Sequence, residues 1–165
     1  MKWQKVIQLY ESNINKNQIE SIFCQLYPIL GTNGRFLITY ANFQYQHGNK
    51  AKALELMEES NKYFCDISSS INLAKLYAEF DMNDKAEDMF NLAINIAPDK
   101  FTSYYETILF FINKTDYKKA YDLCKDLYAK PIQKTNNVDP YIIKRIIEKY
   151  IDEYENTKKI TISIQ

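Results

Sequence analysis

Few residues of this chain are of types that do chemistry, and none stands in a catalytic spacing. The one histidine, His47, directly precedes Gly48. It has no cysteine or carboxylate partner at motif spacing, so neither a metal centre nor a catalytic triad is expected there. Its expected place is a solvent-facing helix C-terminus, where the dipole favours an imidazole. Cys24, Cys65 and Cys124 lie far apart, form no CxxC pair and have no histidine cluster beside them, which argues against zinc. They are expected to be buried free thiols, and their odd number argues against a disulfide framework. The three glycines are scattered, so no phosphate-cradling loop is present. The carboxylate groups Glu58-Glu59 and Asp84, Glu87, Asp88 are expected on exposed helix faces. These readings give no catalytic residue, no metal and no cofactor, and the chain is expected to bind rather than to transform.

Charge points the same way. Lysine plus arginine equals aspartate plus glutamate, at 21 each, so no basic balance draws nucleic acid. No run of apolar residues approaches the ~18 that suggest a membrane span, and Met1 to Tyr10 lacks the apolar core of a secretory signal. The expected partner is therefore a protein or an extended peptide segment. No nucleic acid and no direct membrane insertion are expected, and nothing in the pattern fixes an oligomeric state.

The elements that must position such a binding surface show in a repeat. Ile19, Ala53, Ala86 and Ala120 are spaced 34, 33 and 34 residues apart. The clearest copy reads Ser70-x2-Leu73-Ala74-x2-Tyr77, then Ala86-x3-Phe90, Ala93 and Pro98. This resembles the tetratricopeptide repeat, a helix–turn–helix unit with the pattern W-x2-L-G-x2-Y…A-x3-F…P, and departs from it only at the Trp position. The expected fold is all-α: an α-α superhelix, or tetratricopeptide-like solenoid, of four helix pairs at 1–31, 34–66, 67–99 and 101–131, with a C-terminal capping helix at 139–157. A single domain spans 1–157, and 158–165 form a disordered or irregular tail.

Particular residues sharpen this. Trp3-x2-Val6-Ile7-x2-Tyr10 opens the first unit, and Trp3 is expected to pack near Ile19 and Phe23. Pro28 and the run Gly31 to Gly34 end that unit. Gly48 supplies a positive φ in the turn before a second helix running from Ala53 to Lys62. Asp66 caps the next helix, and Pro98 closes the third unit. Ala41, Ala74, Ala53, Ala86 and Ala120 allow close helix approach, whereas Ile7 and Ile19 replace the usual small residues in the first unit. Ile108 and Leu127 replace small residues, so the fourth pair is expected to splay. Asp139-Pro140 starts the capping helix, whose Tyr141, Ile142, Ile146 and Tyr150 are expected to cover the last repeat.

Register places Arg35, Ile38, Asn42, Tyr45, Gln46, Ile71, Asn72, Lys75, Glu79, Thr102, Tyr105, Leu109 and Asn113 on the concave face made by the first helices. Of these, Arg35, Asn42, Tyr45, Gln46, Asn72, Lys75, Glu79, Tyr105 and Asn113 are the candidate binding residues, because tyrosines and amides suit an extended peptide. A carboxylate clamp of the kind some chaperone-binding tetratricopeptide domains use does not fit. Asn42 and Asn72 match it, but Ile38, Thr102 and Glu106 stand where it needs cations.

A second resemblance lies in an ordered series: Trp3, Leu9-Tyr10, Leu26-Tyr27-Pro28-x-Leu30, Asn33-Gly34-x-Phe36-Leu37, Tyr40, Ala97-Pro98-x-Lys100-Phe101, Lys119-Ala120 and Lys130-Pro131-Ile132. It is similar to the soluble C-terminal tail of bacterial O-antigen ligase or polymerase-like membrane proteins. The resemblance implies an accessory or regulatory module attached to the bacterial inner membrane. The catalytic loop of such a protein lies in its membrane part, so no catalytic residue carries over to this chain. The alternative is a freestanding cytoplasmic scaffold or peptide-binding regulator.

Overall fold

The structure is a computed structural model, and it describes residues 15–130, 145, 148, 149 and 152–156. The helices whose bounds fall in 15–130 are α1 (Lys16–Leu30), α2 (Gly34–Gln46), α3 (Lys50–Asn61), α4 (Ile67–Glu79), α5 (Asn83–Ile96), α6 (Phe101–Asn113) and α7 (Tyr117–Ala129). No strand occurs among the described residues. The chain groups into two compact units, Met1–Ala86 and Glu87–Gln165. Trp3 and the first helix of the first pair lie outside the described residues. So do Tyr141, Ile142, Ile146 and Tyr150 of the expected capping helix and the tail at 158–165.

Short polar residues start the helices by accepting from orphan backbone N–H groups. Asn15, Asn33, Asn49, Asp66 and Asp116 each accept from an N–H two or three residues on. Asp66 and Ser69 form a reciprocal capping box, as the sequence led one to expect of Asp66. Three inter-helix turns share one geometry. Gly48 has φ +83°, Asp81 +56° and Thr115 +60°, and each stands five residues before a period position, Ala53, Ala86 or Ala120. Glycine meets that requirement without steric cost, whereas a β-branched threonine is strained there.

In the first unit the apolar stripes of α1 to α4 pack together. Ile19, Phe23, Leu37, Ala41, Ala53, Leu56, Leu73 and Ala74 are all buried. The Phe23 ring lies 4.5 Å from that of Tyr40 and nearly parallel to it. Polar side chains stitch the same helices. The Tyr40 hydroxyl donates to Glu20 Oε1 at 2.8 Å, and the buried Gln44 amide donates to both Glu20 oxygens at 2.7 Å. Tyr77 donates to Glu58 Oε1 at 2.9 Å. Burial, reinforced by that bond, pushes its phenol up to about 12.

The second unit is built on aromatics. Phe90 and Phe110 are 5.0 Å apart, and Phe101, Tyr104, Ile108, Phe111, Ala120, Cys124 and Leu127 are buried. At the end of α7, Lys130 lies over the Tyr104 ring (4.6 Å), hydrogen-bonds its hydroxyl and reaches Asp126 at 2.8 Å. Residues 152–156 are helical. Tyr154 stacks on Tyr121 at 4.7 Å, and the Tyr121 hydroxyl donates to Glu155 at 2.9 Å.

Several expectations are corrected. Pro28 does not stop the helix by itself; it lies inside the last turn of α1, which continues to Leu30 and is capped by Gly31, at the cost of the one bond that a residue-28 N–H would have given to the carbonyl four residues back. The second helix of the next pair begins at Lys50 rather than Ala53. Only Cys124 is buried; Cys24 and Cys65 are exposed, since Cys24 lies off the core-facing stripe of α1 and Cys65 lies in the connection between α3 and α4.

Candidate functional site

The candidate residues of the first unit come from α2 and α4. Along α2, Asn42 and Tyr45 are three residues apart. Along α4, Asn72, Lys75 and Glu79 follow at intervals of three and four. That spacing puts each set on one helix face. Together they line a cavity of about 200 Å³ whose other walls are Ala41, Met57 and Leu76. Those three apolar side chains belong to the core and are at most 7% exposed. The cavity therefore has an apolar floor and a polar rim.

The charged part of the rim is internally satisfied. Glu79 Oε1 accepts from the Tyr45 hydroxyl at 2.6 Å, and Lys50 Nζ lies 2.6 Å from Glu79 Oε2. The same ammonium sits 5.5 Å over the Tyr45 ring. Burial works to raise the Glu79 carboxyl, but the hydrogen bonds from Lys50 and Tyr45 outweigh it and hold it below the ordinary carboxylate value. Those bonds push the Tyr45 phenol and the Lys50 ammonium upward in turn. Lys75 also has a partner of its own. The amides of Asn42 and Asn72 differ: their side chains make no hydrogen bond among the described residues.

Not every candidate joins this cavity. Arg35 is exposed, and its guanidinium lies 5.0 Å over the Phe64 ring. Gln46 is exposed on the last turn of α2 and does not line it. Ile71 is buried at 5% exposure, because one residue back from Asn72 rotates the side chain toward the core. In the second unit, Tyr105 is half-buried and stacks on Phe101 at 5.3 Å, while Asn113 is exposed at the end of α6. Met57 and Lys50 were not among the candidates. They come from the second helix of the pair, and a register count along first helices does not reach them.

The remaining groups that could do chemistry are structural. His47 caps α2, with Nδ1 2.7 Å from the Phe43 carbonyl oxygen. Glu58 and Glu59 are half-buried and engaged by Tyr77, Lys62 and Tyr63 rather than simply solvated. No group of three or more metal-ligating side chains occurs among the described residues. No described helix is long and apolar enough to cross a membrane.

This helical architecture is a tetratricopeptide-like solenoid, as its likeness to solved structures shows. A tetratricopeptide repeat protein from Parabacteroides merdae superposes with a TM-score of 0.71 at 18% identity, covering 96% of this chain and 62% of that longer one. A MamA crystal structure matches at TM-score 0.62 and 12% identity, over 90% of this chain and 91% of its own. The Sgt2 tetratricopeptide domain from Aspergillus fumigatus matches at 0.58 and 18%, over 76% and 82%. No protein-family profile matches the sequence, and no curated protein is similar to it in sequence.

Proposed function

We propose that this chain is a protein-interaction module whose α2/α4 cavity receives an extended segment of a partner protein. The observation that carries this is the pair of amides, Asn42 and Asn72, which make no hydrogen bond among the described residues and are set above an apolar floor on two first helices. An extended peptide presents alternating main-chain donors and acceptors for such amides, and side chains for such a floor. Arg35, Gln46, Tyr105 and Asn113 belong to the proposal through repeat register alone. Affinity capture with the wild-type chain and with the Asn42→Ala/Asn72→Ala double variant tests it. The expected result is a partner retained by the first and lost by the second, with the difference reproduced by titration of the two purified proteins. Equal affinities would place binding elsewhere.

A finer reading takes the module as the accessory tail of a bacterial glycan ligase or polymerase at the inner membrane. The ordered series from Trp3 to Lys130-Pro131-Ile132 supports it. The genomic reading frame decides it. Several membrane-spanning helices encoded in frame directly upstream are expected; an in-frame stop there leaves the freestanding scaffold instead.

A further inference from the structure

Resting on that peptide-binding reading, we infer that the α2/α4 cavity selects an uncharged, aliphatic side chain of leucine, isoleucine or methionine size, held by its flanking main-chain amides, and rejects charged residues at that position. The charge arrangement carries the argument. Glu79 is already shared by Tyr45 and Lys50, at 2.6 Å each. An incoming lysine or arginine would have to displace both of them beside Lys75. An incoming aspartate or glutamate would meet the Glu79 carboxylate at the rim and lose hydration over Ala41, Met57 and Leu76. Every charge at the rim is already engaged, Lys50 with Glu79 and Lys75 with a partner of its own, so a charged ligand gains an ion pair there only by breaking one.

An aliphatic side chain meets none of these penalties and covers the floor. The Asn42 and Asn72 amides, unengaged among the described residues, then act on the peptide main chain, where each can donate and accept. A main-chain clamp of this kind reads position rather than sequence. The floor supplies the selectivity.

The experiment uses the full chain and a library of short, end-blocked peptides in which the central residue is fixed in turn and its neighbours are randomised. Strongest retention of peptides with central leucine, isoleucine or methionine is expected. On the best of these, Asn42→Ala/Asn72→Ala is expected to weaken binding about tenfold to a hundredfold, the loss of two hydrogen bonds. Both positions are exposed, so the variant keeps its fold, and an unchanged helical circular dichroism melt checks this. If peptides bind and the double variant loses them but the preferred centre is charged, the selectivity is overturned while the peptide-binding reading stands. If no peptide binds, or the double variant binds equally well, both are overturned.

Discussion

Gly34 and Ser60 stand in the α2/α3 pair where Phe101 and Leu127 stand in α6/α7, at the same chain distances from Ala53 and Ala120. In the first pair the small residues bring backbone onto side chain. The Ser60 hydroxyl donates to the Gly34 carbonyl at 2.9 Å. A Cβ placed on Gly34 would lie 2.3 Å from that of Phe64. In the second pair Phe101 and Leu127 are buried at 7% and 3% exposure. One repeat pattern thus closes in two ways, by backbone proximity and by filling with large side chains.

Substitutions at matched positions should therefore fail in opposite directions. Phe101→Ala removes a buried ring and should cost about 3–5 kcal/mol in urea unfolding. Gly34→Ala adds one methyl and should cost about 1–3 kcal/mol. Alanine's better helix propensity, up to ~1 kcal/mol, offsets only part of that, because Phe64 N and Cα, 3.1 and 3.2 Å from the added Cβ, are backbone atoms. A neutral Gly34→Ala would show that proximity is not what shapes the first pair.

The turns sharpen the comparison. Gly48 holds its positive φ freely, whereas Thr115 holds the same conformation against its branched side chain. Thr115→Gly should raise stability by about 1 kcal/mol, and Gly48→Ala should lower it by about as much. Asp81→Gly should gain less, since aspartate tolerates the left-handed region better. Thermal melts of the three variants read this directly; a destabilised Thr115→Gly protein would mean that the threonine contributes something the turn geometry does not.

Alkali should separate the units as well. Burial pushes the Cys124 thiol from 9.0 up to about 11. Burial and Glu58 push the Tyr77 phenol from 10.0 to about 12. Both groups are harder to deprotonate when folded, so each contributes stability that is complete below its unfolded value and is lost as pH rises toward its folded one. The Cys124 contribution should decay between about pH 9 and 11, and the Tyr77 contribution between about 10 and 12. Cys124→Ala should flatten the lower part of the stability-against-pH curve, and Tyr77→Phe the upper part. Unchanged slopes in both variants would rule out these two groups as its cause.

The fold was legible because the period and the small residues recur together. Only Gly48 was legible as left-handed; Asp81 and Thr115 share its place five residues before a period position, but their residue types do not announce a positive φ. Reasoning from residue habit did less well. Cys124 follows Ala120 by four residues and is on the core stripe, whereas Cys24 follows Phe23 directly and faces out. Register would have separated them where the burial habit of cysteine did not. At the candidate site, Asn42, Tyr45, Asn72, Lys75 and Glu79 were legible from intervals of three and four. Met57 and Lys50 were not, because they arrive from the neighbouring helix and depend on tertiary packing. Arg35 shares the stripe, yet the close approach at Gly34 offers it the Phe64 ring.

The smallest contrast concerns two carboxylates at one repeat position, Glu20 after Ile19 and Glu87 after Ala86. Glu20 is bound by Tyr40 and the buried Gln44, neither of which is a cation. Glu87 is bound by Lys119 at 2.7 Å, with those side chains 32% and 50% exposed. An exposed ion pair contributes at most ~1 kcal/mol, because water screens it and ordering two long side chains costs entropy. Glu87→Gln should therefore lose no more than about that, and the difference from wild type should vanish near 1 M salt, where the screening length falls to about 3 Å. Glu20→Gln turns one oxygen into an amide donor facing the Gln44 amide, a mismatch of hydrogen bonds rather than of long-range charge. Its loss should persist at high salt. Urea titrations of both variants at low and high salt separate the cases, and a salt-sensitive Glu20 effect would sink the distinction.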